Sequence, residues 1–160
     1  MPDSDAVIAQ IAKHRENECF VTIDVIGIGA AVYDGMRRML MNVESSRRVI
    51  GFNASHGSDA RDKSKILGFQ NQRSEWYWRL REALDPANGL TLCLPPDQEL
   101  LADLCAPRYE VRNGRICVEP KEDIVERIGR SPDKGDSLLY AFVVNNSRPP
   151  RMGEVPHMGR

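Results

Sequence analysis

Apolar and polar positions follow two different periods along this chain, and the changes of period mark its elements. Between residues 5 and 16, Val7, Ile8, Ile11 and Ala12 recur at helical spacing behind Asp3, Ser4 and Asp5, any of which can cap a helix. Residues 19–26 are rich in β-branched and aromatic side chains, which predicts a strand that Gly27 and Gly29 end. Helical spacing returns from Ala30 to Met41, and a second short strand follows over residues 48–52. The segment NASHGSDARDKSK shows neither period and is expected to be a mobile loop.

The longest amphipathic stretch spans residues 66–84, where Phe69, Trp76, Tyr77, Leu80 and Leu84 share one helical face and therefore read as core. Trp78 lies off that face, and Glu75 with Arg79 forms a supportive i,i+4 pair. A short strand is expected at 90–95, and a helix at 97–105 starting from Asp97 as its cap. Alternation on both sides of Asn113-Gly114 predicts a β-hairpin over 108–120. A helix over 121–129 should close at Gly129, and Ser131 should cap a last helix with Pro132 in its first turn. Beyond Asn146 the chain is rich in Pro, Gly and Arg and reads as a disordered tail. Strands alternating with helices, plus one hairpin, make this an α/β chain.

Bulk properties narrow the picture further. The 160 residues suit one domain, and 41% hydrophobic with 28% charged content is ordinary for a globular protein. No apolar run is long enough to span a bilayer, and the early charges do not suit a secretory signal. The four cysteines form no C-x-x-C pair and sit in apolar stretches, which predicts buried free thiols. Three scattered histidines argue against a zinc site. The net charge of −1 does not mark a nucleic-acid binder, although residues 61–81 carry Arg61, Lys63, Lys65, Arg73, Arg79 and Arg81 against Asp62 and Glu75. On its own, such a run reads as a solvated helix face.

Candidate chemistry lies with the carboxylates. Asp24 stands inside an apolar strand, where an uncompensated charge costs several kcal/mol, so it must be hydrogen-bonded, paired or bound to a cation. Asp133 and Asp136 lie three apart in the first turns of the last helix and project from one side, where acids also complement the helix dipole. The run Gly27-Ile28-Gly29-Ala30-Ala31-Val32 approaches a dinucleotide fingerprint, but its third glycine is a valine and Asp24 would repel a pyrophosphate. A strand-end Asp facing a helix-start Asp pair suits magnesium better.

The segments VTIDVIGIGAAVYDGM, VIGFNAS, FQNQRSEWYWRLREAL and GRSPDKGDSLLYAF, in that order, resemble the C-terminal nuclease domain of phage large terminases, DNA-packaging motors with a ribonuclease H-like nuclease. The resemblance covers roughly residues 5–145. It implies a mixed sheet flanked by helices, with Asp24, Asp133 and Asp136 helping to hold two Mg2+ or Mn2+ ions that cut DNA. Two such ions, roughly 4 Å apart, activate water and stabilise the leaving oxygen. Lys65, Arg73 and Arg79 are then expected to contact the backbone of double-stranded DNA without reading sequence.

The match also has gaps. The family's fold begins with strands that carry another essential aspartate, and this chain starts just before the Asp24 strand. No G-x-x-x-x-G-K-[ST] of an ATPase occurs. The expectation is a partial terminase nuclease domain over residues 1–146 with a basic, Pro-rich tail at 147–160, working in the host cytoplasm. Catalysis by this chain alone should be weak or absent. The exposed edge of the Asp24 strand should recruit a partner chain or a second copy. The alternative is a catalytically inactive DNA-binding or protein-interaction fragment of a prophage terminase.

Overall fold

The computed structural model describes residues 3–15, 19–40, 48–88 and 92–147, with residues 145–147 described by backbone alone. Helix α1 (Ser4–His14) starts at Asp3, whose carboxylate accepts the Asp5 N–H. Strand β1 (Val21–Asp24), helix α2 (Gly29–Met39) and strand β2 (Val49–Phe52) form a crossover unit in which the two strands pair in parallel, Asp24 opposite Phe52. A parallel pair needs such a crossover because its strand ends point the same way. The strand period of two then splits β1 between two layers. Ile23 is buried with Val32, Met36 and Val49, against Val7, Ile8 and Ile11 of α1. Thr22 faces the other way and donates its hydroxyl to the Tyr140 carbonyl at 3.2 Å.

That second face meets helix α3 (Gln72–Leu84) and the last helix, α6 (Asp133–Ser147). Phe52, Trp76, Tyr77, Leu80, Leu139 and Val143 form the core between them. A second sheet has the order β3-β5-β4, with β3 (Gly68–Phe69) parallel to β5 (Arg115–Val118) and β5 antiparallel to β4 (Tyr109–Arg112). Asn113 and Gly114 turn that hairpin with φ of 48° and 71°, as a two-residue primed turn requires. Helices α4 (Gln98–Cys105) and α5 (Lys121–Ile128) complete the chain; Asp97 caps the first, and Gly129, at φ 75°, ends the second in the left-handed region.

Several sequence expectations need correction. The stretch 66–84 is not one helix: Phe69 enters the sheet beside Ile116, and the Asn71 side chain accepts the Ser74 N–H, so α3 begins at Gln72. The polar loop after β2 is pinned rather than free. Asn53 accepts the Ser55 N–H, Ser58 donates to the buried Glu75 at 2.6 Å, and Asp62 accepts the N–H groups of Ile66 and Leu67. Residues 92–95 form no strand ahead of Pro95-Pro96, and 89–91 lie outside the described residues. Cys19, Cys93 and Cys105 are exposed and Cys117 is half-buried: Cys19 and Cys93 lie in irregular segments, and Cys105 is the last residue of α4. The tail from residue 148 also lies outside the described residues.

The cap of α6 is the most consequential correction. The Ser131 hydroxyl does not accept a helix N–H; it donates to Asp133. The first N–H groups of α6, those of Lys134 and Gly135, are met by Asp103 from the last turn of α4.

Candidate functional site

Asp24 is the final residue of β1, at the carboxyl end of the parallel pair. Gly27 then turns the chain at φ 64°, and α2 starts at Gly29. The half-buried carboxylate is satisfied without a cation. Its Oδ1 accepts the Ile26 N–H at 3.0 Å, and its Oδ2 accepts the Tyr140 hydroxyl at 2.9 Å. Among the described residues no basic side chain pairs with it. Hydrogen bonds therefore provide the compensation that its burial demands.

Asp133 and Asp136 lie one turn apart on α6, but their surroundings differ. Asp136 is buried, accepts the Tyr77 hydroxyl at 2.6 Å, and pairs with the Lys121 ammonium at 2.8 Å. Asp133 is exposed and takes the same ammonium at 3.2 Å together with the Ser131 hydroxyl at 2.6 Å. That hydroxyl, opposed by partial burial and joined by Lys121, holds the Asp133 carboxyl below the usual range. Burial pulls the Lys121 ammonium down, but its hydrogen bonds to Asp136 and Asp133 outweigh this and keep its pKa above the ordinary lysine value. Lys121, at the start of α5, thus bridges both acids.

Tyr140 joins the two halves. It lies one turn beyond Asp136 on α6, and its hydroxyl is bound to Asp24. Burial, the Asp24 hydrogen bond and charge, and the nearby Asp136 charge push its pKa far up. Tyr77 is raised in the same way by burial and by Asp136. Asp24 and Asp136 are therefore brought to one network, while Asp133 stands at its solvent side.

The three predicted DNA contacts separate. Arg73 borders the network, its guanidinium 4.8 Å over the Tyr77 ring and donating to the Glu119 carbonyl. Arg79 is held by buried Glu75 at 2.8 Å and lies over Trp76. Lys65 is exposed in the turn before β3, at φ 62°. Sequence reasoning did not single out Lys121, Tyr140 or Asp103, and it placed Tyr77 in the core without its hydroxyl's role. The signal for Tyr140 was its i,i+4 spacing from Asp136.

Among the described residues the donor set does not fit a two-ion centre. Magnesium and manganese favour several oxygen ligands in near-octahedral arrangement. Here the carboxylates that meet are engaged by an N–H, two phenols and an ammonium. Among the described residues no group of three or more His, Cys, Asp or Glu side chains is placed to hold an ion.

The two phenols should be visible in alkaline titration. An unfolded chain ionises tyrosine near 10.0, whereas Tyr77 and Tyr140 keep their protons well above that. Stability is then complete below that pH and falls as pH rises, because the unfolded state releases these protons first. Tyrosinate absorbance assigned to them by difference from Tyr77→Phe and Tyr140→Phe should appear only together with loss of circular dichroism. Ionisation of both within a fully folded protein would contradict the network.

With this geometry in hand, comparison with solved structures places the fold. The nuclease domain of the large terminase subunit gp2 of bacterial virus Sf6 superposes with a TM-score of 0.58 at 20% identity, covering 87% of this chain and 70% of that one. A lysine-to-alanine variant of the same domain, with manganese, gives a TM-score of 0.58 at 19% identity over 87% and 71% of the two chains. The chain shares the mixed α/β, ribonuclease H-like fold of these terminase nuclease domains. No protein-family model matches it, and no curated protein sequence does.

Proposed function

We propose that this chain is a terminase-type nuclease-fold module that holds double-stranded DNA without cutting it on its own. The observation that supports this is Lys121, whose ammonium pairs with Asp136 and Asp133, the acids that the family resemblance would assign to metal. An ammonium delivers one positive charge and three donors, and it activates no water. The likeness of fold favours DNA as the partner, and the cations favour its backbone. Lys63 and Lys65 are exposed without an acidic partner among the described residues, in the loop that bridges through Arg61 and Gly68 to Arg115. Contacts of this kind give affinity without sequence choice and fall steeply with salt. No described helix is long and apolar enough to cross a membrane, and host cytoplasm is the compartment this reading assigns.

Supercoiled plasmid incubated with the protein and manganese should remain intact, and the melting temperature should not rise with manganese or magnesium. A duplex should nevertheless be retarded in a gel, and each of Lys63→Ala and Lys65→Ala should lower the salt slope of binding by about one. Manganese-dependent cutting that Asp24→Asn abolishes would restore the metal-nuclease reading.

A partner chain is the second reading, carried by one observation. Among the described residues β1 pairs with β2 alone, and beside β1 runs a groove of about 620 Å³ lined by Ile11, Phe20, Val21, Thr22, Tyr140 and Val144. An open strand edge is a template for another strand. Light scattering should show association that rises with concentration and weakens in Thr22→Pro. A monomer at every concentration would remove this reading.

A further inference from the structure

A cleft between α3, α4 and the β4–β5 hairpin has no part in that function. Helices α3 and α4 and the β4–β5 hairpin enclose about 450 Å³ over a floor that includes Leu80, Leu84, Leu104 and Val118. Its rim is unusual for a surface. Leu101 is 55% exposed and Tyr109 51% exposed, and Val111 continues the apolar strip along β4, all four of whose residues are exposed. Two guanidiniums flank the opening. Arg81 lies 4.6 Å over the Trp78 ring and 5.9 Å from that of Tyr109, and Arg108 stands on the facing wall. Among the described residues neither is in an ion pair. The acids nearby are engaged: Asp85, which also lines the cleft, accepts the Ala87 N–H, Glu82 accepts the Trp78 indole N–H, and Glu119 accepts the Arg108 backbone N–H while paired with Arg127.

We propose that this cleft docks an acidic amphipathic helix of another protein, which inserts large apolar side chains over Leu80 and Leu104 and sets carboxylates against Arg81 and Arg108. Three features select that occupant. The apolar strip continues from the cleft along β4 through Tyr109 and Val111, so the surface fits a polypeptide that reads it through spaced anchors. The unpaired guanidiniums complement carboxylates, which bind arginine in bidentate fashion. A nucleic-acid base fits poorly, because the leucine floor would leave its donors and acceptors without partners. Tyr77 lines the cleft and holds Asp136 with its hydroxyl, so the docked helix would pack against the ring that anchors the acid network.

The test uses the full chain and a fluorescein-labelled model helix of about 18 residues, long enough to be helical in water, with leucines on one face and glutamates on the other. Fluorescence anisotropy should show saturable binding, at least about tenfold tighter than that of the same peptide with lysine in place of glutamate. Leu101→Asp and Arg108→Glu, both at surface positions and checked for folding by circular dichroism, should each weaken binding by about tenfold or more. The proposal is overturned if the acidic helix does not bind, if the lysine peptide binds equally, or if both variants bind as the parent does. Displacement of the peptide by duplex DNA would assign the cleft to nucleic acid instead. A dimer that Leu101→Asp dissolves would assign it to a second copy. Because the readout involves neither cutting nor metal, its failure is separable from failure of the DNA-holding reading.

Discussion

Replacing Gly29 with alanine should cost this protein more stability than any other single methyl group added to it. An ideal Cβ at Gly29 would stand 1.7 Å from the Asp24 carbonyl oxygen and 2.9 Å from its carbon. Both obstacles are backbone, so no rotamer change relieves them. Alanine ordinarily gains about 1 kcal/mol over glycine inside a helix. Overpacking against mobile side chains costs about 1–3 kcal/mol, and a backbone clash this close exceeds that range and overwhelms the gain. The expected outcome is a loss above about 3 kcal/mol, which for a domain of this size lowers the melting temperature by roughly 10 °C or more. Gly27 supplies the control. It has φ of 64° and open space around it, so alanine there pays only for the left-handed conformation, about 1–2 kcal/mol. A Gly29→Ala protein as stable as Gly27→Ala would mean that β1 and α2 are not joined as described. The same clash explains the glycine pair without any dinucleotide: one bends the chain, and the other lets α2 start against the strand end that carries Asp24.

Local signals in the chain proved readable wherever a residue's conformation is set by its neighbours. Asn113-Gly114 demands a primed turn and makes one, Asp97 caps the helix that follows it, and Gly129 ends the next. The carboxylates were legible too, since a charge in an apolar strand needs an explanation wherever it occurs. Their partners were not. Asp24 meets Tyr140 across 116 residues, Thr22 meets the Tyr140 carbonyl across 118, and Asp136 meets Tyr77 across 59. Nothing in strand or helix periodicity states which buried phenol will turn its hydroxyl to which acid. Lys121 was hidden for a similar reason. It opens an ordinary charged helix start, Lys121-Glu122-Asp123, and only the fold, which brings the start of α5 to the start of α6, reveals that it bridges two aspartates. The two-residue strand β3 was missed because Phe69 fits the apolar face of a longer helix equally well by spacing. Asn71 decides the matter by capping α3 two residues later.

Asp103→Ala should be nearly as damaging, through the element that carries the acids. The Asp103 side chain is fully buried. Its Oδ2 accepts the Lys134 N–H at 3.0 Å and the Gly135 N–H at 3.3 Å, while Oδ1 is met by the Arg130 guanidinium at 2.5 Å, a charge contact outside hydrogen-bond geometry. Loss of a helix cap costs about 0.5–2 kcal/mol. Removal of one partner from a buried ion pair costs about 3–5 kcal/mol, although Arg130 is 39% exposed, so water screens part of the loss. Both terms come from one carboxylate and do not simply add, which puts the expected loss at about 3 kcal/mol in urea unfolding. Asp103→Asn separates them. An amide oxygen can still accept from Lys134 and Gly135, so the asparagine variant should retain the cap and lose only the charge. Gly135 is part of the same fit, because a Cβ there would come within 3.0 Å of the Asp103 Cβ and push the two helices apart. A loosened α6 start moves Asp133, Asp136 and Tyr140 together. Asp103→Ala should therefore also bring the alkaline ionisation of Tyr140 down to lower pH, while Asp103→Asn leaves it near the parent's. Asp103→Ala and Asp103→Asn that unfold at the same urea concentration as the parent would show that α6 does not depend on this cap.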